Sequence, residues 1–326
     1  MSFIERSDMP FCCGQYNLNM KRLAQTLVLA GVVACMVFLY QSEPVMHYFV
    51  ELGRQGRAYL HVSRQIDLNY TALDEVFISV KTTHKNHRLR LPVIIKTWFQ
   101  LAKRQTWFFT DSDDVELQQK TDGRMVNTKC PPSHSMNDLC CKMSVEFDTF
   151  VKSGNKWFCH VDDDNYVNIP RLVRFLADYS PQEDWYLGKR APLKLLKNPA
   201  MRGITYKFAT GGAGFCLSQA LALKMVPMIG DGKFVSICKK LELPDDVTMG
   251  YVVERLMRTP LTVIDQFHSH LEPMNVVQNN TFHEQITFSY RNENVVNIDG
   301  YEKQIDQTRF LSIHCFLFPH FDFCPN

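Results

Sequence analysis

The residues best placed to do chemistry stand in Lys156-Trp157-Phe158-Cys159-His160-Val161-Asp162-Asp163-Asp164-Asn165, where an apolar run meets three consecutive carboxylates. Trp157, Phe158 and Val161 read as a short buried strand, so the acids come where that strand leaves the core. Adjacent carboxylates repel one another, and burying them unpaired is costly. A divalent cation removes that penalty. Carboxylate oxygens are hard ligands that suit Mg²⁺ or Mn²⁺, ions that keep positions open for water and substrate phosphate. The alternative is a solvated acidic turn. The apolar strand favours the metal site, because it sets the acids at the carboxyl edge of a sheet, where α/β proteins bind ligands.

Three further constellations stand downstream. Phe208-Ala209-Thr210-Gly211-Gly212-Ala213-Gly214-Phe215 carries three glycines in four positions, which lets backbone approach a ligand closely or adopt positive φ. No Lys-Ser/Thr follows and the dinucleotide spacing is absent, so the choice is between a substrate-lining wall and a tight turn. Leu243-Pro244-Asp245-Asp246-Val247 is a helix-start pattern, in which both acids could serve only as caps. A general base there faces a difficulty, since a helix N-terminus lowers a carboxylate pKa. Burial or the nearby acidic trio would push it back up. Phe267-His268-Ser269-His270 puts two histidines on the same side of an extended segment, as metal ligands or as packing partners.

The elements that must position these groups alternate. Strands are expected at Val76–Val80, Trp107–Thr110 and Trp185–Leu187, with helices at Arg88–Lys103, Leu139–Val151 and Arg171–Tyr179. Strands separated by helices of this length predict an α/β sheet with right-handed crossovers. A net charge of +2 over 326 residues, with no run of Lys or Arg, argues against nucleic acid as the main partner.

Lys21-Arg22 precede 18 uncharged residues, Leu23 to Tyr40. That length just spans a bilayer, and no small-x-small cleavage site follows, so a signal anchor is expected rather than a cleaved signal peptide. Residues 1–22 would then be a cytoplasmic tail, 41–73 a stem, and 74–326 a lumenal catalytic domain. Of 11 cysteines, eight follow the apolar stretch. In a reducing compartment Cys130, His134, Cys140 and Cys141 would read as a zinc site. In an oxidising one they are disulfide partners, and eight cysteines allow 105 pairings. Sequons at Asn69 and Asn279 fit an oxidising compartment.

WFCHVDDDNYV, FATGGAGFCLS, LPDDVTMGYVVERL, FHSHLEP and VFISVKTTHKNHRLRL together closely resemble the Fringe glycosyltransferases, over essentially all of residues 74–326. The resemblance implies a GT-A fold: a mixed central sheet flanked by helices, in a type II Golgi membrane enzyme. It implies an O-fucosylpeptide 3-β-N-acetylglucosaminyltransferase, which moves N-acetylglucosamine from UDP-GlcNAc to the 3-hydroxyl of O-linked fucose. The acceptor fucose would stand on EGF repeats of Notch receptors and ligands, the configuration would invert, and Mn²⁺ would be required. Carried onto this chain, Asp164 and His270 would hold the metal, Asp163 and Arg90 would bind the donor, and Asp246 would be the catalytic base. The same resemblance implies disulfides Cys130–Cys141, Cys159–Cys216 and Cys315–Cys324, and leaves Cys140 and Cys238 unpaired. Two rival readings remain: a β-1,3-transferase of the same fold using UDP-galactose or UDP-glucose, and a binding protein that keeps the fold without turnover.

Overall fold

The computed structural model describes residues 71–192 and 205–325, all within the unit Asn69–Asn326. Nine strands are described: β1 Val76–Lys81, β2 Thr106–Thr110, β3 Met125–Asn127, β4 Trp157–Asp162, β5 Asn165–Val167, β6 Tyr186–Gly188, β7 Phe215–Ser218, β8 Leu261–Val263 and β9 Thr287–Ser289. Seven form one sheet in the order β3-β2-β1-β4-β7-β6-β8, and β5 pairs with β9 apart from it. β1 runs parallel to β2 and β4, whereas β7 runs against both β4 and β6. The expected mixed α/β sheet is therefore present, with β7 as its reversed member.

Side-chain alternation decides which groups reach each face. Val76, Ile78 and Val80 of β1 and Trp157, Cys159 and Val161 of β4 enter one apolar cluster. Phe77 and Phe158 enter the other, against Phe147 and Phe150 of the helix Met136–Ser153. On this second face the next positions are polar. Ser79 lies opposite His160 and Lys81 opposite Asp162 in the parallel register. A strand whose side chains alternate with period 2 thus delivers a charged pair to the carboxyl edge on the aromatic side.

The helix Met136–Ser153 starts where Ser135 accepts the Asp138 amide, and it stops at Gly154 in the left-handed region, φ 73°. The helix expected over Arg88–Lys103 is instead cut in two: an α-helix at Leu91–Lys96, then a 3₁₀ turn at Trp98–Leu101. Thr97 between them bonds its hydroxyl back to the Val93 carbonyl at 2.6 Å and leaves helical geometry at φ −105°, ψ −114°.

Two further expectations are corrected. Cys140 and Cys238 are not unpaired: they form a disulfide, alongside Cys130–Cys141, Cys159–Cys216 and Cys315–Cys324. The helix Met136–Ser153 packs on Lys233–Leu241 and brings the two Cα atoms to 6.4 Å, within bridging range. The paired thiols also remove the zinc reading of Cys130, Cys140 and Cys141. The second correction concerns location. Against the expected single-pass Golgi membrane protein, no helix among the described residues is long and apolar enough to cross a membrane. The longest described helix, Met136–Ser153, is amphipathic and carries Asp138, Lys142, Glu146, Asp148 and Lys152. The stretch 23–40 named for the anchor lies outside the described residues, as do the cytoplasmic tail and most of the stem.

Replacing Cys140 and Cys238 together with alanine is expected to lower Tm more than replacing Cys315 and Cys324. The first bridge spans 98 residues and the second 9. In the chain-entropy view such loops differ by about 2 kcal/mol, before the shortening that the enclosed Cys159–Cys216 bridge imposes. Calorimetry that ranks the two pairs the other way would refute this.

Candidate active site

A cavity of about 460 Å³ opens at the carboxyl ends of β1 and β4. Its wall includes Arg90, Asp163, Asp164, Asp246 and His270, so the five residues to which the resemblance gave roles meet at one place. Gly211 and Gly212 line it too, and the same segment is a tight turn, with Gly211–Ala213 in 3₁₀ geometry, so the glycine-rich segment is both wall and turn.

The acidic turn is held from inside. The Asp162 amide donates to Asn165 Oδ1 at 3.0 Å, and Asn165 Nδ2 donates to the Gly212 carbonyl at 3.0 Å. Asp163 is buried and well bonded. It accepts from Thr82 Oγ1 at 2.7 Å, Asn86 Nδ2 at 2.8 Å and Arg90 at 2.5 Å. Asp164 differs. Arg90 reaches its Oδ2 only at 3.3 Å, and Oδ1 is buried without a partner. Burial, then the charges of Asp162 and Asp163, push the Asp164 carboxyl up to about 8. His270 stands beside it, Nδ1 3.6 Å from Asp164 Oδ2 and likewise buried and unbonded. Burial holds the His270 imidazole below its usual pKa, so it is neutral and free to act as a ligand.

These orphaned atoms fit a divalent cation. An unsatisfied carboxylate oxygen and a neutral imidazole nitrogen, close together in the cavity wall, are the donors such an ion takes. Among the described residues no group of three or more His, Cys, Asp or Glu could hold an ion by itself. The pair therefore suits an ion that draws its remaining ligands from phosphate and water. His268, by contrast, is structural: it bonds Gln285 at 2.9 Å and Glu272 at 3.1 Å.

Across the cavity, Asp246 opens the short helix Asp245–Gly250, whose cap residue, Pro244, makes no side-chain cap. Asp246 Oδ2 accepts the Gly211 amide at 3.0 Å and Oδ1 the Val247 amide at 2.8 Å. Burial, then the neighbouring Asp245, nevertheless push Asp246 up to about 6, so the helix-terminus objection is outweighed. Gly250 keeps this helix close to the glycine wall, since a Cβ there would stand 2.2 Å from Phe208 Cβ.

Several site residues escaped the sequence reading. Thr82 and Asn86 follow β1 directly and could have been found by looking just past its carboxyl end. Arg291 and Lys142 also line the cavity but carry no sequence signal of their own. Beneath the floor, Glu146 Oε2 takes Ser79 Oγ and His160 Nδ1, each at 2.7 Å. Burial opposes charge on His160, but Glu146 raises it to about 9.

A mixed sheet with an acidic cavity at the carboxyl ends of its parallel strands defines an α/β ligand-binding protein. The chain belongs to the Fringe-like family, whose profile matches residues 71–321. It is 58% identical over 266 residues to the Fringe glycosyltransferase of Drosophila melanogaster, covering 78% of this chain and 65% of that protein. It is 45% identical over 263 residues to the β-1,3-N-acetylglucosaminyltransferase lunatic fringe of Danio rerio, covering 77% and 70%. The radical fringe of Gallus gallus, named for the same activity, is 45% identical over 266 residues, covering 78% and 72%. The chain thus spans just under two thirds of the Drosophila protein's length.

Proposed function

We propose that this chain is a Mn²⁺-dependent, inverting β-1,3-N-acetylglucosaminyltransferase. It takes the sugar from UDP-GlcNAc and attaches it to the 3-hydroxyl of O-linked fucose on EGF repeats of Notch-type proteins. The observation that carries the reading is the convergence of Asp164, His270, Asp163, Arg90 and Asp246 on one cavity. The names of the relatives support the activity and the sugar. The acceptor and the linkage partner rest on the family resemblance.

Asp164 and His270 would hold the cation. When bound, it would neutralise charge developing on the diphosphate leaving group. Arg90, fixed by Asp163 and lying 5.8 Å over the Tyr290 ring, presents its guanidinium to the donor. Asp163 would contact the donor as well and keeps that arginine in place. Asp246 accepts the proton of the attacking fucose hydroxyl, and a pKa near 6 leaves it ionised at neutral pH yet basic enough to serve. A single base with direct displacement needs no enzyme nucleophile.

The test is transfer by the full chain to an O-fucosylated EGF repeat from UDP-GlcNAc, UDP-galactose and UDP-glucose, with Mn²⁺ and with chelator. N-acetylglucosamine is expected to transfer, and only with the ion. Preferential galactose or glucose transfer would reassign the donor, and failure to bind any nucleotide sugar would end the enzymatic reading.

A further inference from the structure

The cavity wall contains a lysine with no part in the reaction as described. Lys81 closes β1 and lines the cavity, its side chain only 10% exposed. Its ammonium meets Asp245 Oδ2 at 2.7 Å and Asp162 Oδ1 at 3.3 Å. It is thereby the direct link between the acidic turn and the helix that carries Asp246. The contact continues inward, with Asp162 Oδ1 3.5 Å from His160 Nε2 and His160 bonded to Glu146.

We infer that Lys81 is a positioning residue for the base: it fixes Asp245 against the cavity wall and supplies the positive charge that keeps the adjacent Asp246 ionised. The inference rests on the assignment of Asp246 as base. A buried ion pair is weak evidence of stabilisation, since apolar residues often fill such space as well. Its value here lies in where the charge is set. Asp246 shares its helix with Asp245, whose like charge favours the protonated acid. Lys81 of β1 opposes that, and the Gly211 and Val247 amides bond the carboxylate directly. His160 of β4 approaches from below: a Cβ built on Gly211 would stand 3.7 Å from His160 Nε2 and 3.8 Å from Asp246 Oδ2. The phenols that face Asp246 from β6 and from the segment before the glycine wall, Tyr186 and the half-buried Tyr206, are held above their usual pKa, so they carry no charge there. Asp245 and Lys81 are therefore opposed full charges flanking the base, with the His160 imidazolium beneath as a second cation.

The experiment is the pH profile of kcat and of donor KM for the full chain with Mn²⁺, in Lys81→Met, Asp245→Asn, the double variant and Asp246→Asn. Lys81→Met is expected to move the acid limb of kcat up by about one pH unit, a tenfold loss on the acid side recovered at higher pH, with donor KM unchanged. Asp245→Asn is expected to move the limb down. The double variant removes both charges, restores neutrality and returns the limb towards the wild-type position. If Lys81→Met alone fails to fold, the step from Asp245→Asn to the double variant still measures the lysine, and it must move the limb up. A limb that stays put on removal of Lys81 in either background overturns the inference while leaving the base assignment standing. Full turnover by Asp246→Asn overturns both.

Discussion

Asp246→Asn is expected to lower sugar transfer by about 10²–10⁴-fold while leaving Mn²⁺-dependent UDP binding intact. The substitution keeps size and shape. The asparagine oxygen can accept from Gly211 or from Val247 but not from both, so one backbone amide loses its partner while the fold around it is kept. What it loses is the ability to take a proton from an attacking hydroxyl. The two readouts separate roles: a donor-binding residue would lose both, and a helix cap would lose stability first. Calorimetric titration with UDP beside an initial-rate assay would measure each, and appreciable turnover by the asparagine variant would dismiss Asp246 as the base.

The second large effect falls on the donor side. Asp164→Ala is expected to abolish the gain in UDP affinity that Mn²⁺ confers, a loss larger than the roughly 10–100-fold seen when only an outer partner of a metal ligand is removed. The same change should act in the opposite direction on the metal-free chain. Asp164 is held near 8, above its unfolded value, so the folded state binds an extra proton between the two pKa values. Stability therefore falls as pH rises through that window, and the ionised carboxylate is a burden above about pH 8. The alanine variant removes it. Melting curves at pH 8.5 should show the metal-free variant above the wild type, and the Mn²⁺-UDP-induced rise in Tm lost. Unchanged nucleotide affinity in Mn²⁺ would take Asp164 out of the ion's shell.

Much of this was legible in the amino-acid order, because strong signals coincide there. Val76–Val80, Trp107–Thr110 and Trp157–Val161 are apolar runs short enough to be strands, and each is one. The acids were readable because they follow such a run directly. Asp246 was readable as a candidate because Pro then acids marks a helix start, but whether it caps or works depended on Gly211, 35 positions away in sequence. The break at Thr97 was missed because one hydroxyl back-bond decided it. The Cys140–Cys238 bridge was missed for a different reason: its halves sit on helices whose packing no local pattern announces. Lys81 was invisible because a lysine ending a buried strand looks like any solvated strand terminus, and only the approach of Asp245 from a distant helix gives it partners.

The alignment of β1 beside β4 has one more consequence. Lys81 and Asp162 are the last rung of that ladder. Since a slip of a single residue turns every side chain to the opposite face, deleting one residue within Val76–Lys81 would swing the ammonium into the aliphatic layer. A residue lost inside one of these strands would have to be matched by one lost from the other for the rung to survive.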